Sequence, residues 1–352
     1  MSMWRDCLID IEPYVAGEQP TKPGVLKLNA NENPYPPAPG VEDAVRGFSV
    51  ASLRRYPQID NDALRQAAAE YYGVAPGSVF AANGSDEALA FAFRAFFNSG
   101  RPVLFPDVTY SFYPVWCDFY GIPYERIPLD GEFRANPQDY ARENGGVVLA
   151  NPNAPTGIEM GREGLERLIE GNSGSVVIID EAYADFGGMS AVGLTARHEN
   201  LLVVRTFSKG RSLAGMRVGL AFGSQELVGA LAAVKNSFNS YPLDSVAQAA
   251  AIASLADEAY FRERSAQVAA TRERVKKELF GMGFRGTDSV ANFLFVTHEG
   301  VSAKKLQDWL KERDILVRRF DLPRIGEYLR ITVGTDEDMD VLLARIKAYL
   351  GR

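Results

Sequence analysis

Cysteine and histidine are nearly missing from this 352-residue chain, which holds two of each: Cys7 and Cys117, His198 and His298. Two cysteines make neither a disulfide framework nor a zinc motif, and the expectation is a reducing, cytoplasmic setting. Two histidines nearly exclude a histidine-based triad or a multi-histidine metal site, so no metal is expected. Positive charge is also scarce. With 38 Lys and Arg against 45 Asp and Glu, a formal charge of −7 and a pI near 5.2, nothing favours a nucleic-acid partner or an anionic membrane surface. No apolar run reaches the roughly 18 residues of a membrane-crossing helix. The longest, such as Val176–Ile179 and Leu201–Val204, are strand-length. The opening MSMWRDCLIDIEPY lacks the basic start and apolar core of a secretory signal. No G-x-G-x-x-G joins an early strand to a helix, which disfavours a dinucleotide-binding dehydrogenase.

What is present is the balance of an ordinary globular protein, 46% apolar and 24% charged, long enough for two domains of roughly 150 residues each. Residues 1–40 are rich in Pro, Asn and Gly, cannot hold a long helix and are too apolar for a plain disordered tail. They read as an extended arm packed on the body. From 41 to 250, helices are expected at Asn61–Tyr72 and Ser85–Phe97. Strands are expected at Pro102–Phe105, Gly146–Ala150, Ser175–Ile179 and Leu201–Arg205, and near Val218–Phe222. Strands apolar throughout, separated by helix-length segments, predict an α/β large domain with a mostly parallel sheet between helices. Residues 245–280 read as one long helical rod leading into a smaller α+β domain, 251–352. Strands are expected there at Asn292–Val296, around Ile315–Arg318 and at Tyr328–Thr332, and helices at Ser302–Arg313 and Asp336–Leu350.

Ligands of an open α/β sheet bind beyond the carboxyl ends of its strands, and the chemistry-bearing residues gather there. Asp180-Glu181-Ala182-Tyr183 follows one strand. Thr206-Phe207-Ser208-Lys209 follows another, with Gly215 and Arg217 just beyond. Asn151-Pro152-Asn153-Ala154-Pro155-Thr156-Gly157 follows a third, and Asn83-Gly84-Ser85-Asp86 opens an apolar helix. These are the parts a pyridoxal phosphate site needs. Lys209 supplies an amine able to form a Schiff base, and Asp180 a carboxylate for the pyridine nitrogen. The Gly84-Ser85-Asp86 turn, Ser208 and Arg217 supply donors for a dianionic phosphate. Tyr110 supplies a flat ring, and Tyr183 a donor for the phenolate oxygen. Each has a plainer alternative: a solvated lysine, a capping aspartate, core tyrosines, a cap-only turn.

The succession DEAY, TFSK and AGMRVG resembles the fold-type-I aminotransferases, which depend on pyridoxal phosphate. PYxxG, LNANENPY, RRYP, PxxTYSFY and YLRITVGT make the chain similar to the histidinol-phosphate aminotransferase family, with the resemblance running from Pro13 to Gly334. It implies that Lys209 carries the cofactor and then shuttles the proton, that Asp180 faces the ring nitrogen and that Tyr183 donates to the phenolate oxygen. Tyr110 would stack on the ring, while Gly84, Ser85, Asp86, Ser208 and Arg217 would hold the phosphate. Tyr56 of RRYP would reach that phosphate from a neighbouring subunit, which implies a homodimer. Arg330 would bind an α-carboxylate or a substrate phosphate, with Tyr14, Asn31 and Arg318 completing the substrate pocket. The implied reaction converts L-histidinol phosphate and 2-oxoglutarate to imidazole-acetol phosphate and glutamate, a step of histidine biosynthesis. The alternatives are a threonine-phosphate decarboxylase or a broad aromatic-amino-acid aminotransferase of the same family.

Two positions depart from the pattern. The family most often reads Asn-Asn-Pro-Thr-Gly, its second Asn bonding the phenolate oxygen. That place is Ala154 here, so either Asn153 reaches the oxygen or Tyr183 serves alone. After Lys209 stands Arg211, where small or apolar residues are commoner; pointing inward, it would add positive charge near the phosphate.

Overall fold

Two sheets organise the computed structural model, which describes residues 7–9, 11–15 and 17–351. In chain order the strands are β1 (Leu26–Leu28), β2 (Val79–Ala82), β3 (Val103–Pro106), β4 (Tyr124–Ile127), β5 (Gly146–Ala150), β6 (Val177–Asp180), β7 (Leu201–Thr206), β8 (Gly219–Phe222), β9 (Arg285–Gly286), β10 (Phe293–Thr297), β11 (Ile315–Arg319) and β12 (Leu329–Thr332).

The larger sheet runs β2-β8-β7-β6-β5-β3-β4. From β7 to β4 every pairing is parallel, and β8 lies antiparallel to both neighbours. The central strands are buried along their whole length. Their alternate side chains enter two different cores. Val177, Ile179, Leu201 and Val203 join one face with helices Asp62–Tyr72, Arg162–Glu170 and Ser245–Ala256. Ile178, Leu202 and Val204 join the other with helices Ser85–Phe96, Phe112–Tyr120 and Gln225–Phe238. Burial on both faces is why these strands read as continuous Val/Ile/Leu runs rather than alternating ones. Parallel pairing also brings the carboxyl ends of β3, β5, β6 and β7 to one edge, and the β7–β8 connection, residues 207–218, folds over that edge.

The smaller sheet runs β1-β11-β12-β10-β9 and packs on helices Glu258–Gly281, Ala303–Lys311 and Asp336–Tyr349. Its first strand comes from the N-terminal arm: Leu26, Lys27 and Leu28 pair in parallel with Ile315, Leu316 and Val317. The arm is therefore partly a sheet strand, and at three residues β1 is too short to leave a period in the sequence.

The rod expected over 245–280 is two helices, Ser245–Ala256 and Glu258–Gly281. Asp257 ends the first with non-helical backbone (φ −103°, ψ 70°) and starts the second, its side chain accepting from the Tyr260 N–H at 3.1 Å. An aspartate that can satisfy a free N–H of the next helix makes a break cheaper than its apolar surroundings suggest. Among the described residues, no helix is long and apolar enough to cross a membrane.

Candidate active site

The carboxyl edge of the larger sheet, the strand ends of the smaller one and the arm residues after β1 enclose a cavity of about 260 Å³. Lys209 lies on its wall, one residue past a tight turn. Thr206 Oγ1 accepts from the Ser208 N–H at 3.1 Å and donates to Ser208 Oγ at 3.0 Å. The Asn33 amide clamps the next two carbonyls, donating to Lys209 O at 3.0 Å and Gly210 O at 3.2 Å. Asp185 occupies the space a side chain at 210 would need, so the turn requires glycine there. Under it lies a buried ion cluster. Arg205 donates to Glu181 at 2.6 Å and pairs with Asp185, and Glu181 also accepts from Ser190 and the Ala191 N–H. With its charges and lone pairs partnered, this cluster makes a rigid base for the lysine.

The Lys209 amine donates to the Ala30 carbonyl at 3.0 Å. Burial pulls it down to about 8, helped by Arg330 and Arg217 and opposed by Glu32 and Asp86. Near neutrality a usable fraction is therefore uncharged. Asp180 ends β6, in register with Ala150 and Val204. Burial pushes it up to about 6, against the stabilising hydrogen bonds from the Tyr113 hydroxyl (2.9 Å) and the Ala182 N–H.

Opposite these, Gly84 (φ +86°) caps helix Ser85–Phe96 without a side-chain hydrogen bond. Arg217, itself left-handed at φ 53°, crosses the turn, with Nη2 3.3 Å from Asp86 Oδ2 and Nη1 3.5 Å from Ser208 Oγ. A Cβ on Gly84 would stand 2.6 Å from Arg217 Nη2, and one on Gly219 would collide with the Gly84–Ser85 peptide. Two glycines thus let a strand, a helix N-terminus and a guanidinium converge, an arrangement suited to an anion. The Tyr110 hydroxyl donates to Asp86 Oδ1 at 3.1 Å, and its ring lies 6.2 Å from that of Tyr14, which stacks on Phe112 at 4.5 Å.

On the far wall, Arg318 and Arg330 are cross-strand partners on β11 and β12. Like charges so placed repel. The Arg330 Nη2 donates to Asn29 O at 3.1 Å, yet its buried Nε has no partner, and among the described residues Arg330 makes no ion pair. Arg318 donates to Val15 O at 3.1 Å and lies over the Phe320 ring. An anionic ligand group between the two guanidiniums would relieve both features.

Of the residues singled out from the sequence, Lys209, Asp180, Tyr183 and Ser208 line this cavity, as do Ser85, Asp86, Tyr110 and Arg217. Tyr14, Arg318 and Arg330 line its outer end. Gly84 does not line it, but as the N-cap of helix Ser85–Phe96 lies beneath Arg217. Three are placed elsewhere. Asn153 lines a separate cavity. Its amide donates to Val108 O and Thr156 Oγ1 and its oxygen accepts from Thr109, so it does not reach toward the Lys209 cavity; Ala154 is the residue there. Asn31 is fully buried behind Tyr183 and is not part of a substrate wall. Tyr56 is 80% exposed and stacks on Tyr241 at 4.7 Å, off the cavity of its own chain. Arg211 also points away, into a box of Tyr71, Phe207 and Phe261, where it donates to Ser254 O. The sequence reading missed Tyr113 and Glu32. Tyr113 sits three residues past Tyr110, and three residues is about one helical turn. Glu32 lines the cavity and pairs with Lys27 at 2.7 Å.

Residues 23–346 match the family model described as aminotransferase class I and II. The chain is 48% identical to the histidinol-phosphate aminotransferase of Lactococcus lactis subsp. cremoris over 347 residues, covering 99% of this chain and 98% of that protein. It is 51% identical to histidinol-phosphate aminotransferase 2 of Burkholderia mallei over 350 residues, again 99% and 98%. Among solved structures it superposes on the histidinol-phosphate aminotransferase of Sinorhizobium meliloti in complex with pyridoxal-5′-phosphate, with TM-score 0.83 and 26% identity, covering 91% of this chain and 89% of that one.

Proposed function

We propose, on the premise that the chain belongs to the class I and II aminotransferases and to their histidinol-phosphate aminotransferase branch, that it transfers an amino group between L-histidinol phosphate and 2-oxoglutarate, giving imidazole-acetol phosphate and glutamate. The observation that carries this reading is the meeting, in one cavity, of a buried lysine held near pKa 8 with the carboxylate of Asp180, the Ser85–Ser208–Arg217 cluster and the Arg318–Arg330 pair. We read the chain as an arm over 1–40, a large cofactor-holding domain over 41–250 and a small domain over 251–352.

The residues fit pyridoxal phosphate. Ser85, Asp86, Ser208 and Arg217 would hold its phosphate, Asp180 its ring nitrogen, Tyr110 its ring face and Tyr183 its phenolate oxygen. When bound, the cofactor supplies an electrophilic aldehyde and a ring that accepts electrons from the substrate's α-carbon. The chain does the rest. Lys209, as the neutral amine, would hold the aldehyde carbon with loss of water and, once freed by the substrate's amine, would take and return a proton at its Nζ. Asp180, buried and ionised above about pH 6, keeps a cationic ring nitrogen charged, which holds the electron sink open. Arg330, with an unused Nε beside Arg318, orients the α-carboxylate of glutamate in one half-reaction and the phosphate end of the amino alcohol in the other. The two substrates carry different anions, and a pair of guanidiniums can serve both.

The active unit in this reading is a cytoplasmic homodimer. Val50, Leu53, Tyr56 and Phe238 are exposed apolar side chains, which supports a partner surface, and from it Tyr56 would reach the partner's phosphate site. Sedimentation or light scattering should give twice the 38.6 kDa of the chain. The decisive experiment is glutamate-dependent turnover of imidazole-acetol phosphate by the protein reconstituted with pyridoxal phosphate. Lys209→Ala should abolish it together with the visible cofactor band, and retained turnover would refute the assignment. Carbon dioxide release from threonine phosphate, or faster turnover of phenylpyruvate, would move the protein to another branch of its family.

A further inference from the structure

The Tyr183 hydroxyl has a built support. It accepts a hydrogen bond from Asn31 Nδ2 at 3.0 Å. Asn31 adopts φ 55°, a left-handed conformation asparagine tolerates, and its other polar groups are engaged. Its backbone N–H donates to Thr332 Oγ1 at 2.9 Å, its Oδ1 accepts from that same hydroxyl at 3.0 Å, and its carbonyl accepts from Asn292 at 3.0 Å. Because the Thr332 oxygen takes the Asn31 N–H, its own hydrogen goes to Oδ1, which fixes the NH₂ end of the amide toward Tyr183. Tyr183 thus receives at its oxygen and keeps its own O–H for the cavity it lines. Its neighbour there, Ala154, has no side-chain donor, and the Asn153 side chain is committed elsewhere.

We propose that Asn31, locked by Thr332, is a positioning residue that aims and polarises the Tyr183 hydroxyl toward the phenolate oxygen of the cofactor, in place of a second side-chain donor. This rests on the pyridoxal phosphate reading above. A hydroxyl that accepts a hydrogen bond becomes a stronger donor, so the chain obtains from two tiers of residues what a second amide beside the oxygen would supply directly. The charged groups that also act on Tyr183 are Arg330 on β12, Asp180 at the end of β6, Asp86 on helix Ser85–Phe96 and the Lys209 amine 5.9 Å from the ring. All four are retained in the variants that test the idea.

The test is a pH titration of the visible absorbance of the reconstituted protein in wild type, Asn31→Ala, Thr332→Val and Thr332→Ser. A weaker donor leaves the phenolate oxygen holding its neighbouring proton more tightly, so the midpoint should rise by about half to one pH unit in Asn31→Ala. It should rise less in Thr332→Val and stay at the wild-type value in Thr332→Ser, which keeps the hydroxyl. Unmoved midpoints in both Asn31→Ala and Thr332→Val overturn the proposal, as does a Thr332→Ser midpoint that follows valine, because the effect would then be packing. If Asn31→Ala does not fold, the valine and serine pair decides alone. A wild type that develops no visible band with pyridoxal phosphate overturns the underlying cofactor reading as well, an outcome distinct from a normal band that the variants fail to shift.

Discussion

Replacing Lys209 with methionine should make the cofactor-free protein more stable at pH 7, although it deletes the amine to which the proposed chemistry is assigned. That amine titrates at about 8 in the folded chain, chiefly because it is buried and next because Arg330 is near, against an ordinary 10.5. Unfolding restores the ordinary value. Below about pH 8 the lysine is charged in both states, and the folded state carries the whole cost of keeping a cation in the cavity. A gap of about two and a half pH units corresponds to about 3 kcal/mol. Methionine has similar length and no charge, but forfeits the hydrogen bond from the charged amine to Ala30, worth about 2 kcal/mol. The net gain is about 1 kcal/mol at pH 7. As pH rises from 8 toward 10.5 the folded lysine is neutral while the unfolded one still binds a proton, so the wild type recovers stability and the advantage of methionine shrinks. Urea unfolding of both cofactor-stripped proteins at pH 7 and pH 9.5 measures this. A variant less stable than wild type at pH 7, or an advantage equal at both pH values, would refute the reasoning.

Tyr113→Phe removes a donor from Asp180, so the acid should titrate above its present value of about 6. Cofactor binding, followed by absorbance against pH, should then set in about half to one pH unit higher than in wild type. Glu181→Ala strips Arg205 of its 2.6 Å partner inside the core and should cost about 3–5 kcal/mol in urea unfolding; a loss under 1 kcal/mol would mean Asp185 alone balances the charge. Gly219→Ala drives a Cβ into the Gly84–Ser85 peptide. Equilibrium dialysis should give cofactor affinity weaker by about tenfold or more, the equivalent of 1–3 kcal/mol of local strain, while affinity equal to wild type would show the turn adapts.

Periodicity carried the larger sheet because its strands are buried on both faces: Gly146–Ala150 falls where the sequence expected a strand, and Val177–Asp180 and Leu201–Thr206 within two residues. Strand ends then pointed to the cavity that Lys209 and Asp180 line, since parallel pairing gathers them at one edge. What stayed hidden depended on contacts between distant segments. Leu26–Leu28 becomes a strand only because Ile315–Val317 is there to pair with it. The break at Asp257 was written in a capping residue amid alanines, a signal weaker than the run around it. Asn153 and Ala154 are adjacent in sequence but face opposite sides of their turn, and no spacing rule distinguishes them. The direction of Arg211 was open in the sequence for a similar reason: its charge would suit a phosphate only if it pointed inward, whereas its long side chain lies among aromatic faces. Asn31 looked like a pocket residue, and only the tertiary structure reveals that it is sealed behind Tyr183.

The pairing of the arm strand β1 with β11 has a temporal consequence. Ala30 lines the candidate cavity and Asn31 lies buried behind Tyr183, but β1 is pinned by β11 and Asn31 by Thr332. During synthesis on the ribosome the larger sheet has all its strands by Phe222, long before those anchors emerge. A nascent chain can therefore assemble the Lys209 side of the cavity early, whereas the pairing that seats Ala30 against the Lys209 amine waits until β11 has been made.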